Sequence, residues 1–374
     1  MKQVFLTGAT GAIGSALAPL YLDEPDTHLK LLLRAKRGRA LTDRLADLGR
    51  FWGMTEDDSR WLRIEAVEGD AALPRFGIEA DVYARLSRST THIVHCAGAV
   101  KMTLPLEEAR AHAVVPAEAT LELADRNREA GVLEKVEIVS TVGVGGRTPG
   151  LIPERPMPEV TSFHNTYEAA KAEAEGVVFA RWNDLPITVH RPSMVVGDSS
   201  AGRIIHFQVF YHLCEFLSGQ RTSGFMPSLV GATLDLIPVD YVAGAIHWSS
   251  CSPQTAGQVL HLCSGPRDAV KLPDLVSLIR ERMLASGEEL PQIRFLPLSA
   301  FRVAVPILGW LSATQVRRAL GNLELFLAYL DELQTFANHD SRALLEPAGL
   351  CVPAPDLYLN TVLDYYQQRK GQAG

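Results

Sequence analysis

Apolar residues in the first half of the chain fall into short continuous blocks, with helix-patterned stretches between them. The blocks at 4–6, 29–33, 62–67, 92–95, 136–140 and 187–190 read as strands, being short, uninterrupted and rich in Val, Ile and Leu. Helical patterns occupy 15–22, 40–48, 106–130 and 167–182. A strand apolar on both faces is covered on both faces, so this alternation predicts a parallel sheet between two layers of helices. After Arg191 and Pro192 the alternation stops. Residues 204–218 predict an aromatic-rich helix, and 237–245 and 259–263 are candidates to rejoin the sheet. From 271 onward the pattern is mainly helical, in pieces bounded by proline.

The opening of the chain carries the sharpest chemistry. The strand at 4–6 runs into Thr7-Gly8-Ala9-Thr10-Gly11-Ala12-Ile13-Gly14 and then into a helix. Gly8 takes the tight turn, Gly11 lets backbone approach a phosphate, and Gly14 lets the helix pack on the strand. The free N–H groups of that helix then face an anion. The expectation is a dinucleotide pyrophosphate held by Thr7, Gly8, Thr10, Gly11, Ala12, Ile13 and Gly14. The fold class is therefore α/β, a doubly wound parallel sheet of the Rossmann type with a smaller, mainly helical substrate-binding region. Residues 1–192 form the dinucleotide-binding domain, its sheet completed by 235–265. Residues 193–234 and 266–374 form the substrate-binding region.

The end of the second strand separates the two nicotinamide cofactors. An acidic residue there binds a ribose 2′-hydroxyl, and an arginine accommodates a 2′-phosphate. Here Leu33 is followed by Arg34-Ala35-Lys36-Arg37-Gly38-Arg39, with Arg44 beyond, and no carboxylate lies between 29 and 42. NADP is the expected cofactor, with Arg34 as the first candidate for its 2′-phosphate.

Tyr167 and Lys171 stand four apart on a predicted helix, hence on one face. A free phenol with a pKa of about 10 is a poor proton donor at neutral pH, and a nearby ammonium brings it closer to the working range. Such a pair alone is common on solvated helices. Val139-Ser140-Thr141 at a strand end and the glycine turn, in this order, make it a catalytic candidate.

Composition narrows the field. The formal charge is -7, which gives nucleic-acid binding no electrostatic support. The chain starts on a core strand without a basic flank and apolar leader, and no apolar run reaches the roughly 18 residues of a span, so a cytoplasmic protein is expected. The apolar stretch 300–313 includes Arg302 and leaves interfacial membrane contact open. Five scattered cysteines without CxxC spacing read as reduced thiols, and no motif has metal-ligand spacing. Of the histidines, His92 and His95 flank a buried strand, and His164 lies just before Tyr167.

With its TGxxGxxG turn, strand-end Ser/Thr and YxxxK, the chain resembles the extended short-chain dehydrogenase/reductase superfamily. His95-Cys96-Ala97-Gly98-Ala99-Val100, Leu104 to Ala109, Val139-Ser140-Thr141, Arg191 to Asp198 and Ile237 to Val242 make it similar to the thioester-reductase and fatty acyl-CoA reductase group. The resemblance covers roughly residues 1 to 265. It implies Thr141 as the hydroxyl on the substrate carbonyl, Tyr167 as proton donor, and Lys171 as the group that tunes Tyr167 and holds the nicotinamide ribose. It also implies Asp70 at the adenine, Ala97 and Gly98 beneath the cofactor, and Pro192 beside it. Ala113 stands where the group usually has a relay Asn. A weakened relay, a water in place of the amide, and a low-activity protein all fit that change.

The leading expectation is NADPH-dependent reduction of an acyl thioester, on CoA or on a carrier protein, to aldehyde or alcohol. A ketone/alcohol oxidoreductase or nucleotide-sugar epimerase of the same fold is the alternative, and a non-catalytic NADP-binding protein the second. For an acyl chain, a channel is expected above Tyr167, lined by the free face of 204–217 together with Phe225, Met226 and 303–311. Oligomeric state is left open.

Overall fold

The computed structural model describes residues 1–35, 38–228, 231–297, 300–301 and 334–372. Seven strands form the central sheet: β1 (Lys2–Thr7), β2 (Thr27–Leu33), β3 (Ile64–Glu68), β4 (His92–His95), β5 (Lys135–Val139), β6 (Ile187–Pro192) and β7 (Gln258–Leu262). Their order is β3-β2-β1-β4-β5-β6-β7, and every pairing is parallel. Connections leave β1 and β4 towards opposite sides, which opens a crevice at the carboxyl ends of these two neighbours.

Helices cover both faces, as the doubly apolar strands require. Val4, Leu6, Leu29 and Leu31 face α1 (Ala12–Leu22), α2 (Leu41–Phe51) and a later helix at Val239–Ser250. Phe5, Ile93, Val136 and Val189 face α3 (Ala80–Ser89), α4 (Leu106–Ala111), α5 (Val114–Glu129) and α6 (Thr166–Phe179). The single helix expected over 106–130 is thus two. The break falls at His112 and Ala113, and Pro116 is the third residue of α5. There its missing N–H lacks an intrahelical partner in any case, so proline starts this helix instead of kinking it.

A third core cluster, beside those on the two faces of the sheet, belongs to the helical lobe. The helix expected over 204–218 begins only at Val209 and forms α7 (Val209–Leu217); α8 is Val239–Ser250, and α9 spans Leu272–Ala285. Phe210, Tyr211 and Leu217 pack there with Leu275, Ile279, Tyr358 and Val362, the last two from the C-terminal helix Pro355–Gln372. Of the candidates to rejoin the sheet, 259–263 supplies β7. Leu236–Pro238 instead pairs in parallel with Met194–Val196, outside the main sheet. One piece of the expected substrate region belongs to the sheet: the helix His339–Leu345 docks on β7, where Ser341 Oγ accepts from His261 N at 2.8 Å. Just before it, Gln334–Phe336 pairs with Gly150–Ile152.

Charge is also buried in this frame. Arg191 of β6 is fully buried and donates to both carboxylate oxygens of Glu175 on α6, at 2.9 and 2.6 Å, and to the Arg155 carbonyl at 3.0 Å.

Candidate active site

At the carboxyl end of β1 the backbone itself shapes the site. Gly8 has φ +77, and a Cβ there would stand 2.6 Å from Ala97 N. A Cβ on Gly14 would stand 2.3 Å from the Gly8 carbonyl oxygen, so only glycine lets α1 close onto the turn. Gly11 precedes α1 in extended conformation, and no side chain caps that helix, so its first N–H groups are open to an anion. Thr7 is placed differently from the rest of the motif. Its buried hydroxyl bonds His95 Nδ1 at 2.8 Å and accepts from Ala97 N at 3.2 Å, locking β1 to β4.

Beyond the turn, arginines gather at the end of β2. Arg44 reaches from α2 to the Arg34 carbonyl and to Thr10 Oγ1, the latter at 3.2 Å. Burial, followed by the charges of Arg34 and Arg39, pushes the Arg44 guanidinium below its ordinary value, as crowded cations do. Arg34 itself donates to Asp70 at 3.0 Å, a pair near the surface that links the residue expected at the 2′-phosphate to the one expected at the adenine. The glycine cradle fits a dinucleotide pyrophosphate, and this cationic cluster stands beside it.

Next along the crevice lie the hydroxyls and the amine. Thr141 follows β5, and its Oγ1 accepts from Gly143 N at 3.2 Å. Tyr167 sits in the first turn of α6, which Asn165 caps by accepting from Glu168 N at 3.0 Å. Burial pushes the Tyr167 phenol up to about 12, against a hydrogen bond from the Thr141 side and with the Glu168 charge adding to it. The expected lowering by Lys171 is therefore not supplied by the folded chain alone. Lys171 is buried and donates to the Val139 carbonyl at 2.9 Å. Burial pushes its ammonium down to about 8, against the charge of Glu175. Gly98 lies beside that amine, where a Cβ would stand in ordinary contact with Nζ at 3.5 Å.

One cavity of about 360 Å³ joins these groups. Gly11, Ala12 and Ile13 line one end, and Thr141, Tyr167, Lys171 and Pro192 line its middle. Its walls are mainly apolar, with Val142, Met194, Leu234 and Phe336 among them. Val209 and Phe210 line it as expected from the aromatic helix. Phe207, Tyr211 and Met226 pack into the helical lobe instead, and Phe225 lies under the Arg294 guanidinium. The stretch 303–311 lies outside the described residues.

Sequence reasoning missed several groups here. His164 does not face the cavity as an isolated ring: its Nδ1 and backbone N both bond Glu168 Oε2 at 2.9 Å, and the pair is buried. His92 and His95 are buried as well, and burial holds them down to about 4 and about 3. Ser193 and Asp235 line the cavity one and two segments beyond the catalytic strand. Asp235 accepts from Ser264 N and Gly265 N, both at 2.8 Å. Away from the crevice, Glu24, His247 and Cys251 converge, and the Lys2 ammonium bonds Glu24 at 2.8 Å and Cys251 Sγ at 3.0 Å. All five cysteines are free thiols, and no helix among the described residues is long and apolar enough to cross a membrane.

Comparison with known proteins agrees with this geometry. The terminal R domain from the myxalamid PKS-NRPS biosynthetic pathway superposes with a TM-score of 0.80 at 28% identity, over 99% of this chain and 91% of that one. The reductase (R) domain of a nonribosomal peptide synthetase from Mycobacterium tuberculosis shares the fold, with a TM-score of 0.70 at 22% identity over 100% and 92% of the two chains. The L-2-aminoadipate reductase of Schizosaccharomyces pombe is 28% identical over 280 residues, 71% of this chain and 19% of that protein. The non-reducing polyketide synthase pkdA of Emericella nidulans is 26% identical over 308 residues, 79% of this chain and 12% of that protein. The chain thus spans under a fifth of the length of these two curated relatives. Residues 6–246 match the male sterility protein family of NAD-binding domains, and the chain belongs to that family, within the extended short-chain dehydrogenase/reductases.

Proposed function

We propose that this protein reduces an acyl thioester, delivered on a carrier protein or on CoA, to an aldehyde or alcohol with NADPH. One observation carries the reading: a largely apolar cavity begins at the glycine turn, passes Thr141, Tyr167 and Lys171, and ends among side chains of the helical lobe. The similarity to a terminal R domain over nearly the whole chain supports it. A didomain that pairs thiolation and reductase units shares the fold and favours carrier delivery over CoA.

Gly8, Gly11, Gly14 and the α1 N-terminus would hold the pyrophosphate, and Arg34 and Arg44 the 2′-phosphate. Asp70 would meet the adenine, with Ala97, Gly98 and Pro192 bordering the nicotinamide end. When bound, reduced nicotinamide supplies a hydride. The chain's own groups do the rest. The Thr141 and Tyr167 hydroxyls stabilise the charge that develops on the carbonyl oxygen. Tyr167 gives that oxygen its proton, the resulting hemithioacetal breaks its C–S bond to leave aldehyde and free thiol, and Lys171 holds the ribose and assists the phenol. The apolar walls keep water from the thioester.

The test is turnover with NADPH on matched acyl thioesters, aldehydes and a nucleotide sugar, with products identified by mass. Thioester reduction is expected, and Tyr167→Phe should cost roughly 10²- to 10⁴-fold in kcat while leaving NADPH affinity nearly intact. Consumption of cofactor only with a ketone or sugar overturns the thioester reading. Full activity in Tyr167→Phe overturns the proton donor.

A further inference from the structure

Ser140 and Ser193 present a problem that the proposed reaction does not solve. Both line the cavity, both are more than nine-tenths buried, and neither hydroxyl has a hydrogen-bond partner among the described residues. A buried hydroxyl left without a partner costs about 1–3 kcal/mol, so such groups in a cavity wall imply a polar partner on whatever fills it. A plain alkyl chain offers none.

Their position says where that partner sits. Val139 of β5 pairs with His190 of β6, so Thr141 and Ser193 follow neighbouring strand ends. Ser193 N in turn donates to the Leu262 carbonyl at the end of β7. Both side chains therefore enter the cavity from neighbouring strand ends. Asp235 faces the same stretch of wall. Its carboxylate is clamped by Ser264 N and Gly265 N, and neither the Ser193 nor the Ser264 hydroxyl reaches hydrogen-bond geometry with it. Each carboxylate oxygen keeps one lone pair beyond those clamps. Burial pushes this carboxyl up from its ordinary range, against the neighbouring Ser193 hydroxyl first and then Ser264 and the Gly265 amide. Apart from Glu168 and Lys171, it is the ionisable side chain among the cavity residues that is not a phenol or a thiol.

We infer that the acyl group carries a hydrogen-bond donor, a hydroxyl or an ammonium, within its first few carbons, and that Ser193 and Asp235 select it. A hydroxyl would accept from Ser193 and donate to Asp235; an ammonium would donate to both. Val142, Met194 and Leu234 enclose the carbon skeleton around this polar point. This inference rests on the thioester reading and narrows its substrate class. Sites built to bond a polar group discriminate strongly against analogues that lack it, because their own buried groups are then stranded.

The experiment compares kcat/KM with NADPH for three CoA thioesters of equal chain length: unsubstituted, 3-hydroxy and 2-amino. A substituted thioester should be preferred by at least tenfold, and the better arm identifies the donor. Ser193→Ala and Asp235→Asn should each collapse that preference, mainly through KM of the substituted thioester, while the unsubstituted one is affected less. Asp235→Asn risks loosening the Ser264–Gly265 clamp; Ser193→Ala does not touch it, so the serine variant decides if the other fails to fold. Equal rates on all three thioesters, or an unmoved preference in Ser193→Ala, overturns the inference and leaves thioester reduction standing. No reduction of any of the three, with activity on a ketone or sugar, overturns the underlying reading instead.

Discussion

The two halves of the crevice are built from different materials. At the β1–β2 end stand glycine backbone, an uncapped helix N-terminus and arginines near the surface, and the glycines lie within one local run. At the β5–β7 end stand ionisable side chains held by specific partners, most of them far away in sequence: Lys171 on Val139, Arg191 on Glu175, Asp235 on Ser264 and Gly265, and, within one turn, Glu168 on His164. Backbone geometry holds a ligand common to many proteins. Buried side-chain chemistry sets what is done to a particular one. The first half should therefore tolerate loss of side-chain atoms, and the second should not.

The largest effect expected is at the second half. Arg191→Leu leaves Glu175 as a buried, unpaired carboxylate between β6 and α6 and should destabilise the fold by about 3–5 kcal/mol. Chemical denaturation measures it, and a loss under about 1 kcal/mol would break the contrast. Replacing both partners, Arg191→Leu with Glu175→Leu, should recover much of the loss, because the penalty lies in stranding one charge.

A smaller effect comes from pH. Lys171 is held at about 8 in the folded chain against an ordinary value of 10.5. Between these values the unfolded chain binds more protons, so stability rises with pH from about 8 towards 10. Lys171→Met should flatten that rise in a Tm series. NADPH affinity should fall over the same interval as the ammonium is lost. A parallel Tm profile in parent and variant would place the lysine's proton affinity near its ordinary value.

The smallest effect belongs to the first half. Arg44→Ala should lower NADPH affinity roughly tenfold, about 1.4 kcal/mol, and leave NADH affinity nearly unchanged. Arg34→Ala should do less, because Asp70 already occupies Arg34. Isothermal titration of both cofactors decides it, and equal NADPH and NADH binding by the parent would remove the case for a 2′-phosphate site.

The same contrast explains what could be read from the chain beforehand. The glycine turn was legible because close backbone approach permits one residue type at fixed local positions. Tyr167 and Lys171 were legible because helix periodicity sets them on one face. Ser193 and Asp235 were not, since their surroundings arise from strand ends far apart in sequence. The pairing of Gln334–Phe336 with Gly150–Ile152 had no local signal at all. Pro116, a helix breaker in a helix interior, stands in the first turn of α5, where it is tolerated. The aromatic run at 207–217 was divided by the fold: Gln208, Val209 and Phe210 line the cavity, Phe210 also packing in the helical-lobe core, while Phe207, Tyr211 and Phe216 pack in that lobe.

The short strand Gln334–Phe336 lines the cavity without joining the seven-stranded sheet. It is anchored through Gly150–Ile152 and through Gln334, whose amide donates to the Gly146 and Thr148 carbonyls. Changes in Thr335 or Phe336 can thus alter the shape of the chamber while the cofactor cradle keeps its geometry. Substrate range and cofactor use are then free to diverge separately among descendants of such a chain, one drifting while the other stays fixed.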